Sequence, residues 1–193
     1  MGPQVTGKTI RQFIDEVSDQ FYPMTGVVIA AMAAQAAALA ETCMQISLDN
    51  QIDKLDWPDV TGRIEHMAHI KTTLLEWCNQ HAEQMADFMS RTDYQAEPRH
   101  ILCDHSAEIG QLSIKAATML EAFRPLVFEQ VSDDLETTIN LLMMTARAAM
   151  LLLDSNLRRW PDEALLAEYE PIRAELETQI NQLTPLQRIR VSH

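Results

Sequence analysis

The sequence predicts an all-α protein folded as a single-domain bundle of about six helices. Glycine is scarce, with 5 residues in 193, whereas strong helix formers such as Ala, Leu, Met, Glu and Gln are abundant. The stretch from Phe21 to Leu48 is dominated by alanine and has no proline or glycine after Gly26. Most other segments repeat apolar residues at helical spacing. A chain of this length corresponds to one domain, so we expect one domain over 1–193, with a core at 8–183 and a frayed tail at 184–193.

The first two predicted helices differ in burial. Thr9 to Asp19 carries an apolar stripe on one face, which predicts a short amphipathic helix. Turn chemistry at Tyr22 to Gly26 then leads into an alanine-rich helix that begins near Thr25. Its small side chains let neighbouring helices approach closely, so we expect it at the centre of the bundle. Its uncharged run approaches the length of a membrane span, but alanine gives poor insertion energetics and favours a buried soluble helix.

Two further helices are bounded by proline. Pro58 suits the first position of a third helix, which then runs to about Ser90. A fourth helix is predicted from Arg99 to about Phe123, where Pro125 ends or bends it.

The last two helices are predicted from the residues at their starts. Ser132 followed by two aspartates is an N-cap signature for a fifth helix through Leu157, with Glu136 in its first turn complementing the helix dipole. A sixth helix begins at Trp160-Pro161-Asp162. Its bundle-facing residues are predicted to be Leu165, Leu166, Tyr169, Ile172, Leu176 and Ile180.

Charge and cysteine content restrict the partners and the compartment. The formal net charge of −13 argues against nucleic acid and against anionic membrane surfaces as partners. Cys43, Cys78 and Cys103 form an odd, widely spaced set, which fits reduced thiols better than a disulfide framework. Met1 to Arg11 is polar and does not resemble a signal peptide. We therefore expect a cytoplasmic protein.

Histidine and cysteine pairs on predicted helices raise the question of a metal. His66 and His69 share one helical face, as do Cys78 and His81, and these side chains are good zinc ligands. The two pairs lie 15 residues apart, which is ~22 Å along a helix, so they cannot serve one site. No named metal motif is present. We expect no bound zinc or iron at these residues; a metal-binding bundle is the least favoured function.

The order of these features resembles the cyclodeaminase/cyclohydrolase family, which includes formiminotransferase-cyclodeaminase and the methenyltetrahydrofolate cyclohydrolases. In that family a short helix leads through a Gly-rich loop into an Ala-rich helix, as TIRQFIDEVSDQFYPMTGVVIAAMAAQAAAL does here. The family's aromatic-x-Asp-Val corresponds here to KLDWPDV, which begins at Lys54. Its Leu-rich acidic stretch corresponds to LLEWCNQHAE, which begins at Leu74. Ser132-Asp133 and Asn156-Leu157 are similar to a later Ser-Asp and Asn-Leu. The likeness covers about 8–183.

The resemblance implies a fold, a ligand and a site. It implies the cyclodeaminase-domain bundle, a homodimer, and a one-carbon tetrahydrofolate derivative as substrate. The residues it aligns with the family's folate contacts are Thr25, Gly26, Val27, Lys54, Ser132 and Asp133. His81 stands where the family has the acidic residue associated with acid-base chemistry, so it is the implied catalytic residue.

Departures from the family pattern leave the activity open. Of the glycines in the family's loop only Gly26 is present, between Thr25 and Val27, and the β-branched neighbours restrict the backbone. The expectation is a divergent member that hydrolyses or binds a tetrahydrofolate derivative, with weak or lost activity. The alternative is a non-enzymatic helical protein that kept the fold and binds a small molecule or a partner.

Overall fold

The described part of the chain folds into six α-helices, as the sequence predicted. The structure, a computed structural model, describes residues 5–19, 24–51, 57–90, 97–159 and 162–190; of 57, 58, 88–90, 97 and 98 it describes the backbone. The helices are α1 (Ile10–Asp19), α2 (Thr25–Asn50), α3 (Trp57–Ser90), α4 (Glu97–Phe123), α5 (Ser132–Arg159) and α6 (Glu163–Gln182). No strand occurs within the ranges described. The all-α prediction is confirmed.

Helix α2 lies at the centre of the bundle, packed against α3 and α5. Ala30, Ala33, Ala37 and Ala40 are fully or almost fully buried, and their short side chains allow the close helix approach expected from the sequence. Among the described helices, α2 is the one whose length and composition would also fit a membrane span. More than half of its most apolar stretch is buried inside the protein, however, as in the core helix of a bundle.

Helices α4 and α5 form a second closely packed pair, joined by a short connection that is anchored to α2. Helix α4 ends at Phe123, directly before a 3₁₀ turn that contains Pro125, as predicted. The backbone N–H of Phe128 donates to the Ser47 hydroxyl at 2.9 Å. The Gln51 amide donates to the carbonyl of Leu126 at 3.1 Å. The connection therefore lies at the C-terminal end of α2.

The start of α5 is at the predicted residue, but its polar side chains have other roles than expected. The Ser132 hydroxyl donates to the Glu129 carbonyl at 2.9 Å. Glu136 does not face solvent near the helix start; it is buried and binds the Arg124 guanidinium through two hydrogen bonds, one of them 2.9 Å from Nη2 to Oε2. The carboxylate thus stabilises the α4–α5 connection through an ion pair.

Helix α6 begins as predicted, whereas the following segment differs from the frayed tail we expected. The Asp162 carboxylate caps α6 by accepting from the N–H groups of Ala164 and Leu165. After the helix, the N–H of Thr184 donates to Glu121 at 2.8 Å and the N–H of Leu186 donates to Glu136 at 3.3 Å. These bonds hold 184–186 against the ends of α4 and α5. The four α6 residues that are buried are all in the predicted set: Leu165, Tyr169, Leu176 and Ile180.

Helix α1 is the least buried element. It contains no buried residue, and two residues of its predicted apolar stripe are open to solvent, Ile10 at 74% and Ile14 at 57% exposure. Phe13 and Val17 pack partly against the core. The segment before α1 is held by the Asn79 side chain of α3, whose Oδ1 accepts the N–H groups of two consecutive residues at 2.9 and 3.1 Å.

Candidate functional site

The candidate site is centred on a contact between Gly26 of α2 and His81 of α3. Both residues are buried, and the His81 side chain is 3% exposed. A Cβ atom added to Gly26 would lie 2.3 Å from Cε1 and from Nε2 of His81. Such a distance is far below van der Waals contact, so the imidazole occupies the space that any other residue would need for its side chain. The family resemblance indicated these two residues in separate motifs, and the structure brings them together.

A second histidine, His105 of α4, completes a buried pair. Its Nδ1 lies 3.4 Å from Nδ1 of His81, within reach of one hydrogen bond. The Trp77 ring packs edge-on against His105 with ring centroids 4.2 Å apart. Trp77 and His81 are four residues apart on α3, so both face α4. The two imidazoles are thereby enclosed between three helices.

Burial keeps both imidazoles neutral. It lowers the pKa of His81 to about 4. The pKa of His105 is lowered to about 3, first by burial and then by the proximity of His81. At neutral pH each ring carries one N–H and one acceptor nitrogen, so one Nδ1 donates to the other. The pair can therefore donate and accept hydrogen bonds without bearing charge.

Polar atoms without hydrogen-bond partners lie in the same region of α3. The indole Nε1 of Trp77 and the amide Oε1 of Gln84 are buried and make no hydrogen bond of ordinary length. Gln84 follows His81 by three residues, so it lies on the same side of α3. Buried polar groups are almost always paired. The Gln84 oxygen, which has no partner among the described residues, and the Trp77 N–H, which makes only a long contact with Glu108, therefore indicate where a water or a polar ligand would bind.

A carboxyl group of α4 lies close to this region. Burial and the neighbouring Asp104 raise the pKa of Glu108, and attraction to the Trp77 N–H opposes that shift. Glu108 follows His105 by three residues on α4 and is exposed. Its interaction with the Trp77 N–H places this carboxylate where a ligand that approaches Trp77 from solvent would meet it.

The other predicted ligand contacts fall into two groups. Thr25 and Val27 flank Gly26 at the start of α2; Thr25 is exposed, and the buried Val27 accepts a hydrogen bond from the Cys78 thiol at 3.5 Å. Ser132 and Asp133 begin α5 directly after the connection whose Phe128 binds Ser47, and Ser47 is 21 residues, or ~32 Å of helix, from Gly26. Within one chain they do not join the His81 site. Lys54 lies outside the described residues.

The residues considered as metal ligands are dispersed. His66 is half-buried and His69 exposed on α3, while the Cys78 thiol and the His81 imidazole have separate partners. Burial raises the pKa of all three cysteines to about 11, which keeps them protonated. Across the described residues, no group of three His, Cys, Asp or Glu side chains could hold a metal ion. The absence of metal stays a prediction.

Comparison with known proteins identifies the family. The formiminotransferase-cyclodeaminase family profile matches residues 9–175, most of the chain. The chain belongs to the formiminotransferase-cyclodeaminase family. The fold is also that of a solved structure, the formiminotetrahydrofolate cyclodeaminase of Thermotoga maritima, with a TM-score of 0.78, 18% identity and coverage of 92% of each chain. No curated protein matches the sequence.

Gly26 and His81 were selected from the sequence, but the other four residues of the candidate site were not. His105, Trp77, Gln84 and Glu108 were not selected, although their spacings were available: Trp77 and His81 are four apart, and His105 and Glu108 are three apart. Each spacing places two residues on one helix face. It does not say which face of α3 meets which face of α4, and that rotation is what brings the two histidines together.

Proposed function

We propose that this member of the formiminotransferase-cyclodeaminase family binds a one-carbon derivative of tetrahydrofolate beside Trp77 and His105, and hydrolyses it only slowly. Family membership supports the ligand class. The observation that carries the proposal is the contact between His81 and Gly26, because it fills the position where a glycine loop would otherwise let a ligand approach the backbone.

Unpaired polar atoms support binding of a neutral, hydrogen-bonding ring. The Trp77 indole offers a donor and Gln84 offers an acceptor, and the neutral histidine pair packed against Trp77 adds no charge to this region. The bicyclic head group of tetrahydrofolate carries ring N–H donors and a carbonyl acceptor that complement such a set. A buried donor and acceptor that become paired on binding favour the correct ligand over one that leaves them unpaired.

The environment of His81 supports a low rate of hydrolysis. A general base works best when its pKa lies near the working pH, and burial lowers that of His81 to about 4. The ring is 3% exposed and packed on Gly26, so there is little room for a water beside it. Correct positioning of the substrate lowers the activation barrier by ~7–11 kcal/mol, and a general base raises the reaction rate by ~10²–10⁴-fold. Losing part of both places the rate several decades below that of a member with the glycine loop and the carboxylate.

Binding and turnover are tested separately. Calorimetry with 5-formyltetrahydrofolate measures binding, which we expect to weaken at least tenfold in Gln84→Ala and to be unchanged in His69→Ala, an exposed position on the same helix. Absence of binding to the unmodified protein would remove the folate proposal.

Turnover is followed by the loss of 5,10-methenyltetrahydrofolate absorbance, corrected for spontaneous hydrolysis, and by ammonia release from 5-formiminotetrahydrofolate. We expect rates near background. Rapid turnover that disappears in both His81→Ala and His81→Asn would show that the imidazole replaces the family carboxylate, and the low-activity proposal would then be wrong.

We also propose a cytoplasmic homodimer formed through α5. Met144 and Leu151 are 56% and 69% exposed and lie seven residues apart on one face of that helix. The three buried, protonated thiols fit a reducing compartment. Obligate dimers bury well over 2,000 Å², so light scattering at micromolar concentration should give twice the chain mass, and Met144→Glu with Leu151→Glu should give a monomer. A monomeric parent protein would contradict the proposal.

The exposed α5 face also favours a second candidate function, that of a non-enzymatic protein that binds a partner. The two candidates differ in the folate experiment. A partner-binding protein would show neither calorimetric binding nor turnover, yet would lose its complex in the Met144→Glu and Leu151→Glu variant.

A further inference from the structure

A second cleft lies at the other end of the α3–α4 pair from the histidines. It has a volume of about 700 Å³, in the range of small-molecule sites. The beginning of α3, the second half of α4 and the end of α6 form its walls. Lys115 is ten residues from His105, ~15 Å along α4, and Arg63 is eighteen residues from His81, ~27 Å along α3. The cleft is therefore separate from the candidate folate site.

Basic side chains distinguish this cleft from the acidic surface of the protein as a whole. The chain has a formal net charge of −13, yet two cations, Arg63 and Lys115, line the cleft together. Arg63 pairs with Asp59 at 2.8 Å, on the same turn of α3. Among the residues that the structure describes, Lys115 has no carboxylate at ion-pair distance. Its charge contributes, after burial, to the lowered pKa of His66.

The one carboxylate in the lining is already engaged. Glu121 accepts from the backbone N–H of Thr184 at 2.8 Å and lies 3.5 Å from the Arg124 guanidinium. These partners lower its pKa against the effect of burial, so it stays ionised and bound to groups outside the cleft. It forms no ion pair with Lys115 among the described residues.

The remaining lining adds neutral hydrogen-bonding groups and an apolar surface. Gln111, Gln179 and Gln182 contribute amides, whereas Ile114 and Leu183 contribute apolar carbon. Two cations, amide donors and an apolar wall match an organic anion with a hydrophobic part. We propose that this cleft binds such an anion, a carboxylate or a phosphate ester, through Lys115 and Arg63.

Three probes distinguish the head group and the apolar part: inorganic phosphate, phenyl phosphate and phenylsuccinate. Binding is measured by calorimetry on the full chain. We expect both aryl anions to bind, inorganic phosphate to bind at least tenfold more weakly, and added salt to weaken all three because the interaction is electrostatic. The stronger of the two aryl anions identifies the head group.

Matched charge variants locate the site. Arg63→Gln with Lys115→Gln should weaken aryl-anion binding at least tenfold. The control, Arg11→Gln with Arg147→Gln, removes the same charge from exposed positions outside the cleft and should leave binding unchanged. No binding by any probe at about 10 mM, or an equal loss in the control, would overturn the proposal. If the Arg63→Gln, Lys115→Gln variant still binds 5-formyltetrahydrofolate, the anion site and the candidate folate site are independent.

Discussion

The His81 imidazole lies directly over the α-carbon of Gly26, at a distance where only a hydrogen atom fits. This contact joins the beginning of α2 to the second half of α3. While the His81 ring is in place, position 26 has room only for a glycine. The following predictions concern this contact and the groups around it.

Substitution of Gly26 should destabilise the protein through the His81 ring. In Gly26→Ala the new methyl group would overlap the imidazole, and we expect the free energy of unfolding to fall by about 1–3 kcal/mol. Denaturant titration measures the change. Gly62→Ala is the matched control on α3, because nothing lies within 4 Å of its added Cβ, and it should be neutral or stabilising by ~0.5–1 kcal/mol. If His81→Ala does not relieve part of the Gly26→Ala effect, the cause is not this overlap.

Stability should decrease as the pH falls below that at which free histidine titrates. The pKa values of His81 and His105 are lowered by burial, so below about pH 6.5 the unfolded chain takes up protons that the folded protein does not. The stabilisation is complete above that pH and is lost toward pH 4. Each histidine contributes a slope of up to about 1.4 kcal/mol per pH unit.

Denaturation midpoints between pH 7 and pH 5 test this slope before most carboxylates titrate. His105→Gln should reduce it by about half, whereas His69→Gln, at an exposed position, should leave it unchanged. An equal slope in His105→Gln would contradict the assignment to the buried pair.

Loss of the Glu136 carboxylate should destabilise the α4–α5 connection. Glu136→Gln weakens the paired bonds to Arg124 and the bond from the Leu186 N–H, and we expect a loss of about 1–3 kcal/mol. Glu177→Gln removes an exposed pair with Arg173 and should cost less than ~1 kcal/mol. Hydrogen exchange at Leu186 should accelerate in the first variant only. Unchanged protection there would mean that the segment is held by other contacts.

The thiols should be unreactive in the folded protein. Cys43, Cys78 and Cys103 are buried, and burial raises the pKa of each thiol to about 11. At neutral pH the thiols are therefore protonated, and a reagent in solution cannot reach them. Iodoacetamide labelling followed by mass spectrometry should show no modification before unfolding and three modifications after it. Fast labelling of any one of them in the native protein would contradict its burial.

The parts of the fold that were predicted from sequence depend on local chemistry. Pro125 ends α4 because it cannot continue the helix. Helix α6 begins directly after Asp162, at the predicted place. The alanine content of α2 predicted both its helicity and its central place. Gly26 and His81 were selected because they stand at positions of a family motif.

The features that were missed depend on how distant segments pack. From the sequence, Glu136 is predicted only as an acidic residue in the first turn of α5. The neighbouring sequence does not indicate that Arg124 binds it. His105 becomes part of the site only through the rotation of α4 against α3. Thr184 was expected in a frayed tail because its partner, Glu121, lies 63 residues earlier.

That long separation has a consequence for synthesis on the ribosome. The α4–α5 connection forms several of its hydrogen bonds with residues 184–186. The ribosome synthesises these residues only after the whole of α6. Helices α2, α3, α4 and α5 can pack together as they emerge from the ribosome. Glu121 and Glu136, however, can bind Thr184 and Leu186 only after those residues have been synthesised. The segment after α6 therefore completes the packing of the bundle. A nascent chain stalled within α6 contains the four core helices but lacks the hydrogen bonds from 184–186.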